Sequence, residues 1–188
     1  VLVDPFLLHL HISEIQRKSE MVRGSAQALE KTLTTSAPVN HVFFYLHSIL
    51  FNSAAVSLSF FPPRKKYSAR GAALRAAFSS CENLNVLKDR SLRDHIVHFD
   101  ERLDDWYRES KYKNIAHGLI GPRDMVGGPS IDTVDIFEHY IPSEGVYIFR
   151  GDEFNIVKLV KCIDSVHVLA GDICKYHWAD ERFILALS

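Results

Sequence analysis

Residues 38–60, PVNHVFFYLHSILFNSAAVSLSF, decide the fold. From Thr32 to Pro63 the chain carries no Asp, Glu, Lys or Arg, and Arg64, Lys65 and Lys66 follow at once. Val42, Phe43, Leu46, Ile49, Leu50, Ala54 and Leu58 leave a helix here apolar on most sides, which suits the centre of a bundle. An apolar run with a basic flank also has the form of a membrane span. Asn40, His41, His47, Asn52 and several serines interrupt it, so the reading taken is a buried central helix and no membrane contact. Pro38 opens the helix and Pro62-Pro63 ends it.

Outward from this helix, the pattern stays helical on both sides. Residues 5–33 read as a long helix with Asp4 as cap and Pro5 in the first turn. A short basic linker, 64–67, leads to an Ala-rich third helix over about 68–81, and 83–85 form a turn. A fourth helix spans about 86–110, with Leu92, Ile96, Phe99, Leu103 and Trp106 as one apolar stripe. The stretch 120–130 is a Gly- and Pro-containing loop without the spacing of a phosphate-binding loop. Val134–Ile141 and Val146–Arg150 have strand composition, and Pro142-Ser143-Glu144-Gly145 between them fits a hairpin turn. Asp152 then caps a last helix over about 153–178, whose inner stripe is Ile156, Val160, Ile163, His167, Ala170, Cys174 and His177. The expectation is a mainly α protein: one helical-bundle domain over residues 1–188, with about five helices. A loop and β-hairpin insertion, about 118–151, precedes the C-terminal helix.

Composition narrows the function classes. The 188 residues include 22 Lys and Arg against 23 Asp and Glu, for a net charge of −1. A protein that grips a long nucleic-acid backbone carries a basic excess, so any nucleic-acid contact here is local. Three cysteines without a CxxC pair point to free thiols in a reducing, cytoplasmic setting. The first residues, Val-Leu-Val-Asp, lack the basic region of a signal peptide. No Gly-x-Ser-x-Gly elbow marks a serine hydrolase.

Reactive side chains concentrate in Ser91–Trp106, SLRDHIVHFDERLDDW. Arg93-Asp94 followed by His98 sets a guanidinium beside an imidazole. Histidine moves protons near neutral pH, and arginine stabilises charge developing on a phosphate. On an unbroken helix Arg93 and His98 point about 140° apart. A helix that begins within the motif, or a site shared between subunits, brings them together. Asp94 and His98, at i and i+4, share a face.

This Arg-Asp-x3-His stretch resembles the R-x4-6-H motif of the HEPN superfamily. The resemblance implies a dimerising helical bundle that cleaves RNA without a metal or other cofactor. In that reading His98 is general base or acid on the 2′-hydroxyl, Arg93 holds the scissile phosphate and Asp94 orients one of them. The products are a 2′,3′-cyclic phosphate and a 5′-hydroxyl. It further implies a homodimer, a toxin or defence effector, and a partner antitoxin protein. His95, Arg102, Asn114 and His117 are expected neighbours of the site. The last two lie in Tyr112-Lys113-Asn114-Ile115-Ala116-His117-Gly118, which is similar to an Arg-Asn…Ala-His-Gly form of the motif with Tyr112 in the Arg place. The same stretch also reads as a helix C-terminus closed by His117 and Gly118.

Two alternatives use the same face. One is a non-catalytic helical binding module, with Asp94, His98 and Arg102 as surface ion pairs. The other is a metal-binding bundle, with His95 and His98 sharing an ion beside Glu101 or Asp94.

Overall fold

The computed structural model describes residues 3–128 and 130–187. The protein is mainly α, with seven α-helices among the described residues rather than about five. They are α1 (Pro5–Leu33), α2 (Val39–Phe60), α3 (Ser68–Ala77), α4 (Ser91–Val97), α5 (Phe99–Glu109), α6 (Ile156–Cys174) and α7 (Glu181–Ala186). Among the described residues four short strands form one sheet: β1 (Leu119–Ile120), β2 (His139–Ile141), β3 (Val146–Phe149) and β4 (Asp152–Asn155).

The first two helices begin and end where the sequence places them. Asp4 caps α1 by accepting the Leu7 N–H at 3.0 Å, and Pro5 sits in the first turn. α1 packs along α2 on one side and along α6 on another. By length and composition α2 could cross a membrane, but in this fold Val42, Leu46, Ile49, Val56 and Phe60 are buried in the main core. Where α3 crosses the end of α2, Gly71 allows the approach. A Cβ there would lie 2.8 Å from the Phe60 carbonyl oxygen and 2.6 Å from Pro62 Cδ.

α3 ends at Ala77, short of the expected Cys81, because Phe78 turns inward. Its ring meets Phe60 edge-on at 5.1 Å. Fully burying a phenylalanine contributes about 1.5–3 kcal/mol, comparable with the hydrogen bonds of one further helix turn. The expected fourth helix is three pieces: a 3-10 turn over Leu84–Lys88, then α4, then α5. The break is at His98, whose φ of −103° and ψ of 38° leave helical geometry. It divides the single apolar stripe. Leu92 is buried from α4 and Trp106 from α5, while Leu103 is left exposed. With the axis broken, Phe99 reaches Phe137 at 5.3 Å.

The hairpin is part of a larger sheet, in order β1-β2-β3-β4. β2 and β3 are antiparallel, with Tyr140 opposite Tyr147, and Gly145 takes a φ of 63° in the turn. β1 adds parallel to β2, which turns part of the expected loop into an edge strand. Asp152–Asn155 pairs antiparallel with β3, so Asp152 does not cap the last helix. Asn155 does, accepting the Lys158 N–H at 2.8 Å. β3 is buried on both faces in the period-two pattern of a strand. Tyr147 and Phe149 enter the main core, and Val146 and Ile148 join a second cluster with Ile141. Along α6 the inner stripe runs through Ile156, Ile163, Val166, Ala170 and Ile173. His167 lies at its margin against Glu20, 3.2 Å away, and His177 falls beyond the helix end.

Candidate functional site

Glu138 stands just before β2 and is 6% exposed. A carboxylate at that depth needs hydrogen-bonding partners, and three elements supply them. From α2, His47 Nε2 lies 2.7 Å from Oε1. From the segment before β1, His117 Nε2 lies 2.6 Å from Oε2. From β3, the Tyr147 hydroxyl donates to Oε1. Burial pushes the Glu138 carboxyl up, but the hydrogen bonds from His47 and Tyr147 and the nearby imidazoles outweigh it and hold it below the usual range. Burial, the Glu138 charge and the hydrogen bond to it together raise the Tyr147 phenol, so it stays a donor.

An ionised carboxylate only accepts hydrogen bonds. Both Nε2 atoms therefore carry protons, and each Nδ1 is left free to accept one. The two rings differ in access. The His117 side chain is 48% exposed and the His47 side chain 31%. Phe99 packs against the His117 ring at 5.4 Å, and Phe43 against His47 at 6.3 Å. Gly118, with a φ of 71°, lets the chain turn beside the first turn of α2; a Cβ there would lie 3.8 Å from Val39 Cγ1. The result is a carboxylate-oriented imidazole at the surface with a second imidazole on the same carboxylate. That arrangement is suited to general acid–base work.

The residues named from the sequence do not gather into one cluster. Arg93 pairs with its neighbour Asp94 at 3.0 Å and borders a recess between α2, α4 and the start of α6. His98, at the break between α4 and α5, is exposed, and its Nδ1 lies 3.4 Å from Glu101. His95 turns elsewhere, stacking on Phe149 with rings 5.1 Å apart and 10° from parallel. Its Nε2 lies 3.2 Å from Asp152 and its Nδ1 accepts from Arg102 Nε at 3.0 Å. His95 and His98 thus face different partners. Among the described residues no group of three or more His, Cys, Asp or Glu is placed to hold a metal ion.

Asn114 ties the loop by donating to the Ser130 carbonyl at 2.9 Å. His117 alone of the named residues reaches the buried carboxylate. The stretch around it is not a helix C-terminus, because α5 ends at Glu109 and Ala116 bridges to Ile136 beside the sheet. The three cysteines are free thiols. Burial, with Cys81 nearby, raises the Cys162 thiol to about 11.

His47, Glu138 and Tyr147 escaped the sequence reading as site residues. His47 is embedded in the uncharged central helix, and Glu138 sits in a strand-like run, Ile136-Phe137-Glu138-His139-Tyr140-Ile141. The available signal was a carboxylate within an otherwise apolar strand pattern, which demands a buried partner. Comparison with protein-family models, curated proteins and solved structures finds no match for this chain.

Proposed function

We propose that this chain is a metal-independent endoribonuclease of HEPN-like kind whose proton transfers fall to His117 and His47. The observation that carries the proposal is the buried Glu138 carboxylate held between the Nε2 atoms of these two histidines. RNA as the substrate comes from the motif resemblance around Arg93, Asp94 and His98. In the reaction, His117 Nδ1 takes the proton of the RNA 2′-hydroxyl as that oxygen bonds to phosphorus. The bond from phosphorus to the 5′-oxygen breaks, and the protonated His47 ring returns a proton to that oxygen. The products are a 2′,3′-cyclic phosphate and a 5′-hydroxyl. Glu138 stabilises whichever imidazole is charged.

Self-association belongs to the proposal. Phe44, Phe51 and Leu58 are 67%, 43% and 38% exposed on α2. Their seven-residue spacing makes one apolar stripe, the pattern by which helices pair, and a second copy of the chain would cover it.

The test is incubation of the purified chain with single-stranded RNA, with analysis of the fragment ends. Cyclic phosphate ends lost in His117→Ala support the proposal. A second reading, a non-catalytic binding module, is favoured by the saturation of Glu138: three donors on one carboxylate also make a structural anchor. RNA left intact by the wild-type chain selects that reading.

A further inference from the structure

The recess that Arg93 borders has a volume of about 240 Å³ and shares none of its lining with the Glu138 cluster. Its apolar wall includes Leu50 and Ala54 from α2, Leu92 from α4 and Leu159 from α6. Its polar rim includes Arg90, Arg93 and Lys158. The two acidic residues at the rim are already engaged: Asp89 accepts the Ser91 N–H at 2.9 Å, and Glu153 is paired with Arg123.

Of the three cations, Lys158 is the uncommitted one. Arg90 Nη1 donates to the Phe61 carbonyl at 3.0 Å and to Ser57 Oγ at 3.3 Å. Arg93 uses Nη2 on Asp94, while its buried Nε has no partner among the described residues. The Lys158 ammonium meets no partner among the described residues, and Lys158 is exposed in the first turn of α6. That turn holds no acidic residue. A cation at a helix N-terminus opposes the helix dipole, whereas an anion is favoured there. Ser53, 3% exposed, borders the same recess with a hydroxyl that has no partner among the described residues. Three cations, a positive helix end and an unpaired buried hydroxyl therefore meet at one apolar cleft.

We propose that this recess binds a small organic anion, with the apolar body against Leu50, Ala54 and Leu159 and the charged group between Lys158, Arg93 and the start of α6. The volume lies below the about 300–1,000 Å³ of pockets for drug-sized ligands, which limits the ligand to a small acid or phosphate ester. The apolar wall excludes a bare inorganic ion as the preferred occupant. The recess shares Arg93 with the motif from which the ribonuclease reading takes its substrate, but none of its lining belongs to the Glu138 cluster, so the binding proposal stands or falls apart from the proposed proton transfers.

The test uses the full chain and three probes: phenylacetate, its uncharged amide phenylacetamide, and inorganic phosphate. Binding is followed by amide chemical-shift changes and calorimetry. The expected result is saturable phenylacetate binding with shifts centred on Arg93, Leu159 and Lys158, and binding of the amide and of phosphate weaker by about tenfold or more. Lys158→Glu is expected to abolish phenylacetate binding while raising the melting temperature of the free chain by about 1–4 °C, since it places an anion at the helix start. Absence of saturable phenylacetate binding overturns the proposal. So does equal affinity for acid and amide, tighter binding of inorganic phosphate, or unchanged affinity in a folded Lys158→Glu chain.

Discussion

His117 Nε2 lies 2.6 Å from Oε2 of Glu138, so a half-exposed imidazole is anchored to a buried carboxylate. The other carboxylate oxygen takes His47 at 2.7 Å and the Tyr147 hydroxyl. One acidic side chain at the entry to β2 thereby joins α2, the segment before β1, and β3.

Glu138→Gln tests that junction. Glutamine offers one acceptor oxygen, and its NH2 would face a donor where the carboxylate accepted. The expected cost at neutral pH is about 1–3 kcal/mol in urea unfolding. The pH dependence carries its own sign. Glu138 and Asp135 both titrate below their ordinary values of 4.5 and 3.8 in the fold. For Asp135, burial opposes the shift, and hydrogen bonds from Ser110, the Asp132 N–H and Trp106 overcome it. Their stabilisation is complete above the ordinary values and is lost as pH falls through the folded ones. Unfolding stability is therefore expected to drop in the acid range, with a shallower drop in Glu138→Gln.

Trp106→Phe removes the indole N–H that donates to Asp135 Oδ1 at 2.8 Å. Both residues are buried. Losing a hydrogen bond to a charged group is expected to cost about 1.5–3 kcal/mol, measured by chemical unfolding.

Two glycines on helices should respond in opposite directions. Gly71→Ala places a methyl group against the Phe60 backbone oxygen, for an expected loss of about 1–3 kcal/mol. Gly24 lies within α1 with nothing near its Cβ position. Gly24→Ala is expected to stabilise the chain by about 0.5–1 kcal/mol through helix propensity. Thermal unfolding of the two variants side by side checks both.

The α2 stripe sets an expectation for assembly. Phe44→Ser combined with Phe51→Ser should leave the chain folded, because both side chains are exposed. Light scattering after gel filtration should show a dimer for the wild type and a monomer for the variant.

The sequence was most informative where one helix meets one clear signal. Asp4-Pro5 marks the start of α1, and the uncharged run after Thr32 marks α2 as the centre. It was least informative where tertiary packing overrides a regular pattern. The stripe from Leu92 to Trp106 keeps helical spacing through His98, yet the chain breaks there and Phe99 turns toward Phe137. No local signal marks that break, because what favours it is an aromatic partner 38 residues away in sequence. Glu138 was hidden for a related reason: its three partners come from distant segments, and nothing near it in the chain names them.

The central claim is that proton transfer on RNA belongs to His117 and not to His98. The most direct measurement is the RNA cleavage rate of the wild-type chain, His117→Ala and His98→Ala under one set of conditions, with folding checked by circular dichroism. The account predicts cleavage by the wild type, a loss of about 10²–10⁴-fold in His117→Ala, and little change in His98→Ala. Full activity in a folded His117→Ala chain, or a wild-type chain that leaves RNA intact, would contradict it.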